Sequence, residues 1–120
     1  MRVQNVVIPA RDFQETVRFY RDSLGLPVAF QTDAYCFLEA GAIHVAIHPV
    51  IETSEFWPTG NGIYLDIVVE DFARVRERLI ECGVSIVREW QDETIPFLLV
   101  SDPNGNLLEV YAYTPAPKSE

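Results

Sequence analysis

The sequence predicts an α+β fold in which two tandem βαβββ modules form a curved mixed sheet around a cleft, with the helices on the outer face. Three observations lead to this prediction. An extended segment, a helix and three more extended segments follow one another in the first half of the chain. The same order returns after a stretch rich in Pro, Gly, Ser and Thr. The helix starts also match, because Asp12-Phe13 recurs as Asp71-Phe72, 59 positions later.

The first module begins with a predicted strand over residues 2–9, which are β-branched and apolar. A helix is predicted over 12–24, since Asp12 is a good N-cap and Glu15 completes a capping-box pattern. Gly25 suits the position just after the helix. Apolar side chains recur at helical spacing at Phe13, Val17, Tyr20 and Leu24. Three further strands are predicted near 27–32, 34–40 and 42–48.

The second module follows the same plan. Residues 62–69 are predicted as a strand, Asp71 caps the next helix, and Gly83 ends it. The segment 102–105, Asp-Pro-Asn-Gly, indicates a turn before the last strand. The helix is apolar at Phe72, Val75, Leu79 and Ile80. The remaining strands are predicted near 84–89, 96–101 and 106–113.

The chain has the size and composition of one globular domain, with 120 residues of which 48% are hydrophobic and 22% charged. We therefore predict a single domain over residues 1–120. Its parts are module 1 at about 1–48, a linker at 49–61, module 2 at about 62–113 and a frayed tail at 114–120.

The charge balance limits the partners. The formal net charge is −9, from 18 acidic and 9 basic residues, which argues against nucleic acid and anionic membranes as partners. The N-terminal apolar stretch is too short for a signal peptide, and no segment approaches the length of a membrane span. A cytoplasmic protein is expected. Cys36 and Cys82 form no metal-type spacing and are predicted to be two buried free thiols.

Strand alternation predicts which side chains face the cleft. In the fourth strand, the apolar set that includes Val45 and Ile47 packs on the helix, so His44 and His48 point the other way. The first, fifth and last strands, treated alike, add Asn5, Tyr64, Asp66, Glu109 and Tyr111 to the cleft face. Polar residues from four strands therefore converge, namely Asn5, His44, Tyr64 and Glu109.

Two motifs in these elements resemble a known family. Arg-Asp-Phe at 11–13 opens a helix that reads RFYRDSLGL, and the last predicted hairpin reads VSDPNGNLLEVYAY. The second of these segments spans residues 100–113, before the tail. Both are similar to the first module and last hairpin of the glyoxalase/bleomycin-resistance/extradiol-dioxygenase (vicinal oxygen chelate) superfamily, over roughly residues 2–113. The resemblance implies a cleft that binds a small-molecule ligand or substrate. It also implies a homodimer, with the cleft built by modules of one or both chains.

The resemblance further implies a divalent metal, such as Zn, Ni, Mn or Fe, in the metal-dependent members. Glu109 and His44 stand where those members have metal ligands. Asn5 and Tyr64 stand where His or Gln is usual, so the ligand set departs from the pattern. A catalytic site normally has three protein ligands. A hydrogen-bonded polar cluster without metal is the alternative interpretation of the same four residues.

Three functions stay open at this point. The first is a bleomycin-resistance-type binding protein without the full metal site, and its acidic lining favours a cationic or neutral ligand. The second is a metal-dependent lyase, isomerase or dioxygenase that uses His44 and Glu109, with Glu109 as ligand or general base. The third is a metal-free enzyme with Glu109, His44 or Tyr64 as acid–base groups. The predicted ligand-binding residues are Asn5, His44, Trp57, Tyr64, Asp66, Glu109 and Tyr111, although core packing or a dimer contact also explains Trp57 in the linker.

Overall fold

The computed structural model describes residues 3–50 and 64–112, and it confirms the βαβββ order in both modules. The first module contains β1 (Asn5–Ala10), α1 (Phe13–Arg18), a π-helical turn (Phe19–Ser23), β2 (Val28–Gln31), β3 (Cys36–Ala40) and β4 (Ile43–Pro49). The second contains β5 (Tyr64–Val69), α2 (Phe72–Glu81), β6 (Ile86–Asp92), β7 (Ile95–Ser101) and β8 (Leu107–Ala112). The predicted linker at 49–61 and tail at 114–120 lie almost wholly outside the described residues.

The first helix begins as predicted, but its hydrogen-bonding pattern changes from α-helical to π-helical after Arg18. The side chain of Asp12 accepts a hydrogen bond from the Glu15 amide at 3.0 Å, as an N-cap does. Beyond Arg18 the helix widens into the π-helical turn, where the amide of Leu24 donates to the carbonyl of Phe19, five residues earlier, at 2.8 Å. The prediction of one continuous helix over 12–24 is therefore corrected.

The strands form two four-stranded mixed sheets, with orders β1-β4-β3-β2 and β5-β8-β7-β6. The pairs β1–β4 and β5–β8 are parallel, and the other neighbours are antiparallel. The helix α1 packs on β4, and α2 packs on β8. One face of each sheet is thus covered by its own helix, and the opposite faces are those assigned to the cleft by strand alternation.

The core runs through both modules as one cluster of buried side chains. It confirms the alternation, because Ile8, Val45 and Ile47 are buried while Val7, on the opposite face of β1, is exposed. The fully buried members of this cluster include Ile8, Val17, Tyr20, Leu38, Ile47, Leu79, Leu98, Val100, Leu108 and Val110. Burial of this shared apolar surface holds the modules together.

A buried polar cluster also joins the two modules. Tyr20, in the π-helical turn, donates its hydroxyl proton to Oδ2 of Asp102 at 2.7 Å, across 82 positions of sequence. The same oxygen accepts from Nδ2 of Asn106 at 2.9 Å, and Oδ1 accepts from the amides of Asn104 and Asn106 at 2.8 Å each. Burial and the neighbouring carboxylate raise the pKa of Tyr20. The predicted 102–105 turn is therefore also the contact point between modules.

A second contact between the modules joins the backbone of Gly25 to the side chain of Arg78. Gly25 has φ +89°, and the guanidinium of Arg78, from α2, occupies the space that a Cβ atom on Gly25 would need. Only glycine allows both the left-handed backbone and this contact.

The two cysteines differ from each other. Cys36 is buried in β3, as predicted, but Cys82 is exposed, so the prediction of two buried thiols is wrong for it. Cys82 is the C-cap residue of α2, and a helix end offers less cover than the sheet. Neither helix within 3–50 and 64–112 is long and apolar enough to cross a membrane.

Candidate functional site

The cleft face of the first sheet carries two of the predicted polar residues side by side. Asn5 on β1 pairs in register with His44 on β4. Oδ1 of Asn5 is buried and has no hydrogen-bond partner in the described parts of the chain. A buried acceptor without a partner costs about 1–3 kcal/mol. The side chain of Asn5 therefore carries an unsatisfied acceptor that is closed to solvent, on the strand next to His44.

Aromatic rings fill the rest of this face. The ring of His44 meets Phe37 edge-on at 6.1 Å between centroids, and His48 stacks on Tyr35 at 6.2 Å with 10° between the planes. His48 also donates from Nδ1 to the carbonyl of Pro49 at 2.8 Å. Both histidines thus have aromatic partners, and the assignment of His44 to the site stays a prediction.

The second sheet brings the other two predicted polar residues together. Oη of Tyr64 donates to Oε2 of Glu109 at 2.7 Å, and this bond raises the pKa of Tyr64. The contact is diagonal, because Tyr64 pairs in register with Leu107 while Glu109 pairs with Asp66. Tyr64 is 56% exposed, so this hydrogen bond faces open solvent. The pair can hold a proton at Tyr64 Oη and a negative charge on Glu109.

A ladder of aromatic rings crosses the same sheet from β6 to β8. Trp90 stacks on Phe97 at 5.3 Å with 5° between planes, and Phe97 stacks on Tyr111 at 5.4 Å with 24°. The guanidinium carbon of Arg88 lies 5.0 Å from the centre of the Trp90 ring. The cleft face of the second sheet is therefore aromatic, with acidic residues at β5 and β8 and one basic residue at its β6 edge.

Sequence reasoning missed several of these residues. Phe37, Arg88 and Phe97 share faces with the predicted site through cross-strand pairing. Alternation along β3, β6 and β7 was the signal that could have found them. It was applied only to β1, β4, β5 and β8.

The structure brings the predicted polar residues together in pairs. Asn5 lies beside His44, and Tyr64 bonds to Glu109, but no hydrogen bond within residues 3–50 and 64–112 joins one pair to the other. Asp66 is exposed beside Glu109. Tyr111 belongs to the aromatic ladder. Trp57 lies outside the described residues.

The donors in residues 3–50 and 64–112 do not make up the ligand set of a catalytic metal site. No cluster of three or more His, Cys, Asp or Glu side chains that could hold a metal ion occurs among the described residues. The carboxylate of Glu109 is engaged by the hydroxyl of Tyr64. His44 and Glu109 alone fall short of the three protein ligands that such a site needs.

Comparisons with known proteins agree with this fold. The family model for the Glyoxalase/Bleomycin resistance protein/Dioxygenase superfamily matches residues 2–110. Glutathione transferase FosA from Serratia marcescens is 25% identical over 113 residues, which cover 91% of this chain and 79% of that protein. Virulence protein STM3117 from Salmonella typhimurium is 27% identical over 124 residues, covering 93% of this chain and 84% of that protein.

Solved structures show the same architecture. The crystal structure of STM3117 covers 95% of this chain and 98% of its own, at 26% identity and a TM-score of 0.71. A glyoxalase-related enzyme from Fulvimarina pelagi covers 93% of this chain and 88% of its own, with a TM-score of 0.78. Its identity is 20%, so the likeness concerns the fold alone.

Proposed function

Because the chain belongs to the glyoxalase/bleomycin resistance protein/dioxygenase superfamily, we propose that it binds a small molecule in its cleft without the full metal site of the chelating members. The hydrogen bond from Tyr64 to Glu109, at 2.7 Å, carries this proposal. It joins the two polar residues of the second cleft face in a contact that needs no metal, and it leaves Oε1 of Glu109 open to a ligand. The ligand-binding residues in this proposal are Asn5, His44, Tyr64, Asp66, Glu109, Tyr111 and, from the linker, Trp57.

The side chains on the cleft faces define the ligand class. Asp66 and Glu109 lie on adjacent strands in register, so a cation would be attracted to their side of the face. Tyr111 and the ladder beside it offer apolar ring surface, which suits a flat ligand. We therefore propose a flat cationic or neutral ligand.

Isothermal titration with a matched series of planar bicyclic compounds tests this proposal. N-methylquinolinium is cationic, naphthamide is neutral and naphthoate is anionic, at nearly equal size. The cation and the neutral compound are expected to bind more tightly than the anion. Glu109→Gln should weaken the binding of the cation roughly fivefold, the upper end for a solvent-accessible charge pair. Glu77→Gln, on α2, removes the same charge away from the cleft and should change nothing.

Two outcomes would overturn the proposal. Preferential binding of naphthoate would contradict the predicted ligand class. Near-stoichiometric Zn, Ni, Mn or Fe in protein purified without chelators, lost in both His44→Ala and Glu109→Ala, would establish the metal-dependent alternative instead.

The Tyr64–Glu109 pair also supports a second candidate, a metal-free acid–base enzyme. A carboxylate that accepts a proton, next to a tyrosine that donates one, can remove and return a proton on the same ligand. In D₂O, the protein would then catalyse the exchange of an acidic carbon-bound proton of a ligand for deuterium, and NMR of the ligand would measure the rate of this exchange. Glu109→Gln should abolish this exchange while ligand binding persists, and unchanged exchange would exclude Glu109 as the base.

We also propose that the chain forms a homodimer in the cytoplasm. Large apolar side chains on the cleft faces are exposed, among them Phe30 at 55% and Val68 at 54%. Exposed apolar surface of this kind favours association. Sedimentation velocity is expected to show a dimer. A monomer at all accessible concentrations would contradict this, without affecting the ligand proposal.

A further inference from the structure

A second concave site lies away from the cleft, between α1 with its π-helical turn and the second module. Its cavity of about 370 Å³ is bounded by the loop after α2 and by the turn between β7 and β8. This volume is in the range of small-molecule pockets. The lining contains none of the predicted cleft residues. We call this cavity the junction groove.

The junction groove contains a polar side chain that has no hydrogen-bond partner in the described part of the fold. Ser23, at the end of the π-helical turn, lines the groove and is 7% exposed. Its side chain makes no hydrogen bond with any residue in 3–50 or 64–112, whereas Thr16 in α1 bonds to the carbonyl of Asp12 at 2.7 Å. The hydroxyl is open to the groove, where it can donate a hydrogen bond to a ligand and accept one from it. π-helical turns are also frequent at functional sites.

Two opposite charges line the same groove. Arg18 and Glu15 are both exposed, and neither forms a salt bridge or side-chain hydrogen bond within the described part of the chain. They stand three positions apart on α1, which places them as neighbours on one helix surface. Asp102 also lines the groove, but its carboxylate already accepts hydrogen bonds from Tyr20 and Asn106.

These charges decide the class of ligand. A simple anion would meet Glu15 in a protein whose net charge is −9, and a simple cation would meet Arg18. A zwitterion satisfies both, with its carboxylate on Arg18 and its ammonium on Glu15. Phe19, Val84 and Val87 supply apolar wall beside these charges.

We propose that the junction groove binds a small zwitterion of the α-amino acid class with an apolar side chain. Arg18 pairs with the carboxylate, Glu15 with the ammonium, and the hydroxyl of Ser23 completes the polar contacts. This site is independent of the proposed cleft function, since the two share no lining residue.

The test is an NMR titration of the full chain with three compounds of similar shape. L-leucine carries both charges, 4-methylpentanoate lacks the ammonium, and 3-methylbutylamine lacks the carboxylate. L-leucine is expected to shift the amide signals of Ser23, Gly83 and Ser85, which line the groove. Loss of either charge on the ligand should weaken binding roughly fivefold, the upper end for a solvent-accessible charge pair.

Variants locate the site and separate it from a structural role. Arg18→Gln and Glu15→Gln should each weaken the binding of L-leucine roughly fivefold, whereas Arg74→Gln, at an exposed arginine on α2, should leave it unchanged. Ser23→Ala should weaken the binding of L-leucine. The thermal midpoint of unfolding should stay unchanged or rise, because the Ser23 hydroxyl has no hydrogen-bond partner in the described part of the fold. The proposal is overturned if L-leucine causes no shifts near saturation of its solubility. Equal binding of all three compounds, or an effect of Arg74→Gln equal to that of Arg18→Gln, overturns it as well.

Discussion

Tyr20→Phe removes one oxygen atom from the most buried contact between the two modules. The tyrosine hydroxyl donates to Oδ2 of Asp102 at 2.7 Å, and both residues are buried. A hydrogen bond to a charged group contributes about 1.5–3 kcal/mol. Phenylalanine keeps the ring and its edge-on contact with Phe19, at 5.0 Å, so no large cavity opens. Since Oδ2 keeps its bond from Asn106 at 2.9 Å, we expect a loss near 2 kcal/mol.

Urea unfolding, followed by circular dichroism, measures this loss directly. The midpoint should fall while the slope with urea concentration stays constant, because the variant exposes the same surface on unfolding. Tyr35→Phe is the matched control, since the Tyr35 hydroxyl donates no hydrogen bond to a described residue and 37% of this side chain is exposed. It should change stability by less than about 0.5 kcal/mol. A Tyr20→Phe loss no larger than that of the control would refute the assignment of this contact as an inter-module clamp.

Three further predictions follow from the same structure. Folding raises the pKa of Tyr20, so the stabilising effect of this residue is complete below the unfolded pKa near 10 and is lost as the pH rises above that value. Above pH 10, the free energy of unfolding of Tyr20→Phe should therefore fall less steeply with pH than that of the unchanged protein. Gly25→Ala should cost about 1–2 kcal/mol for the left-handed backbone, with little added by Arg78 because the end of its flexible side chain can turn away; a neutral result in thermal unfolding would contradict this. In the native protein, Cys82 should react with a thiol reagent faster than Cys36, because Cys36 is buried; equal rates would contradict the assigned exposures.

Local patterns predicted most of the architecture. Asp12 and Asp71 were identified as N-caps from their types and positions, and both accept from the amide three residues later. Alternation along β4 placed Val45 and Ile47 in the core. These features depend on residues a few positions apart, so a single sequence contains the relevant information.

Longer-range features escaped the sequence. The π-helical turn gives no local signal, since Leu24 follows the ordinary helical spacing and still bonds back to Phe19. The exposure of Cys82 depends on what covers the end of α2. Asn5 lies opposite His44, whereas Tyr64 lies opposite Leu107, although the repeat aligns Asn5 with Tyr64. Parallel strands are joined by long crossovers, so no turn sets their register and the packed core must do so.

The sequence by itself determined the paired βαβββ modules, the cleft faces and the superfamily resemblance, because periodicity, caps and motifs are properties of short segments. Only the tertiary structure decided which site residues meet. Tyr64 reaches Glu109 and Asn5 lies beside His44, while Tyr20 finds Asp102 across 82 positions. Such contacts depend on how two separately patterned units pack on each other, and the free energy of that packing is not contained in either segment alone.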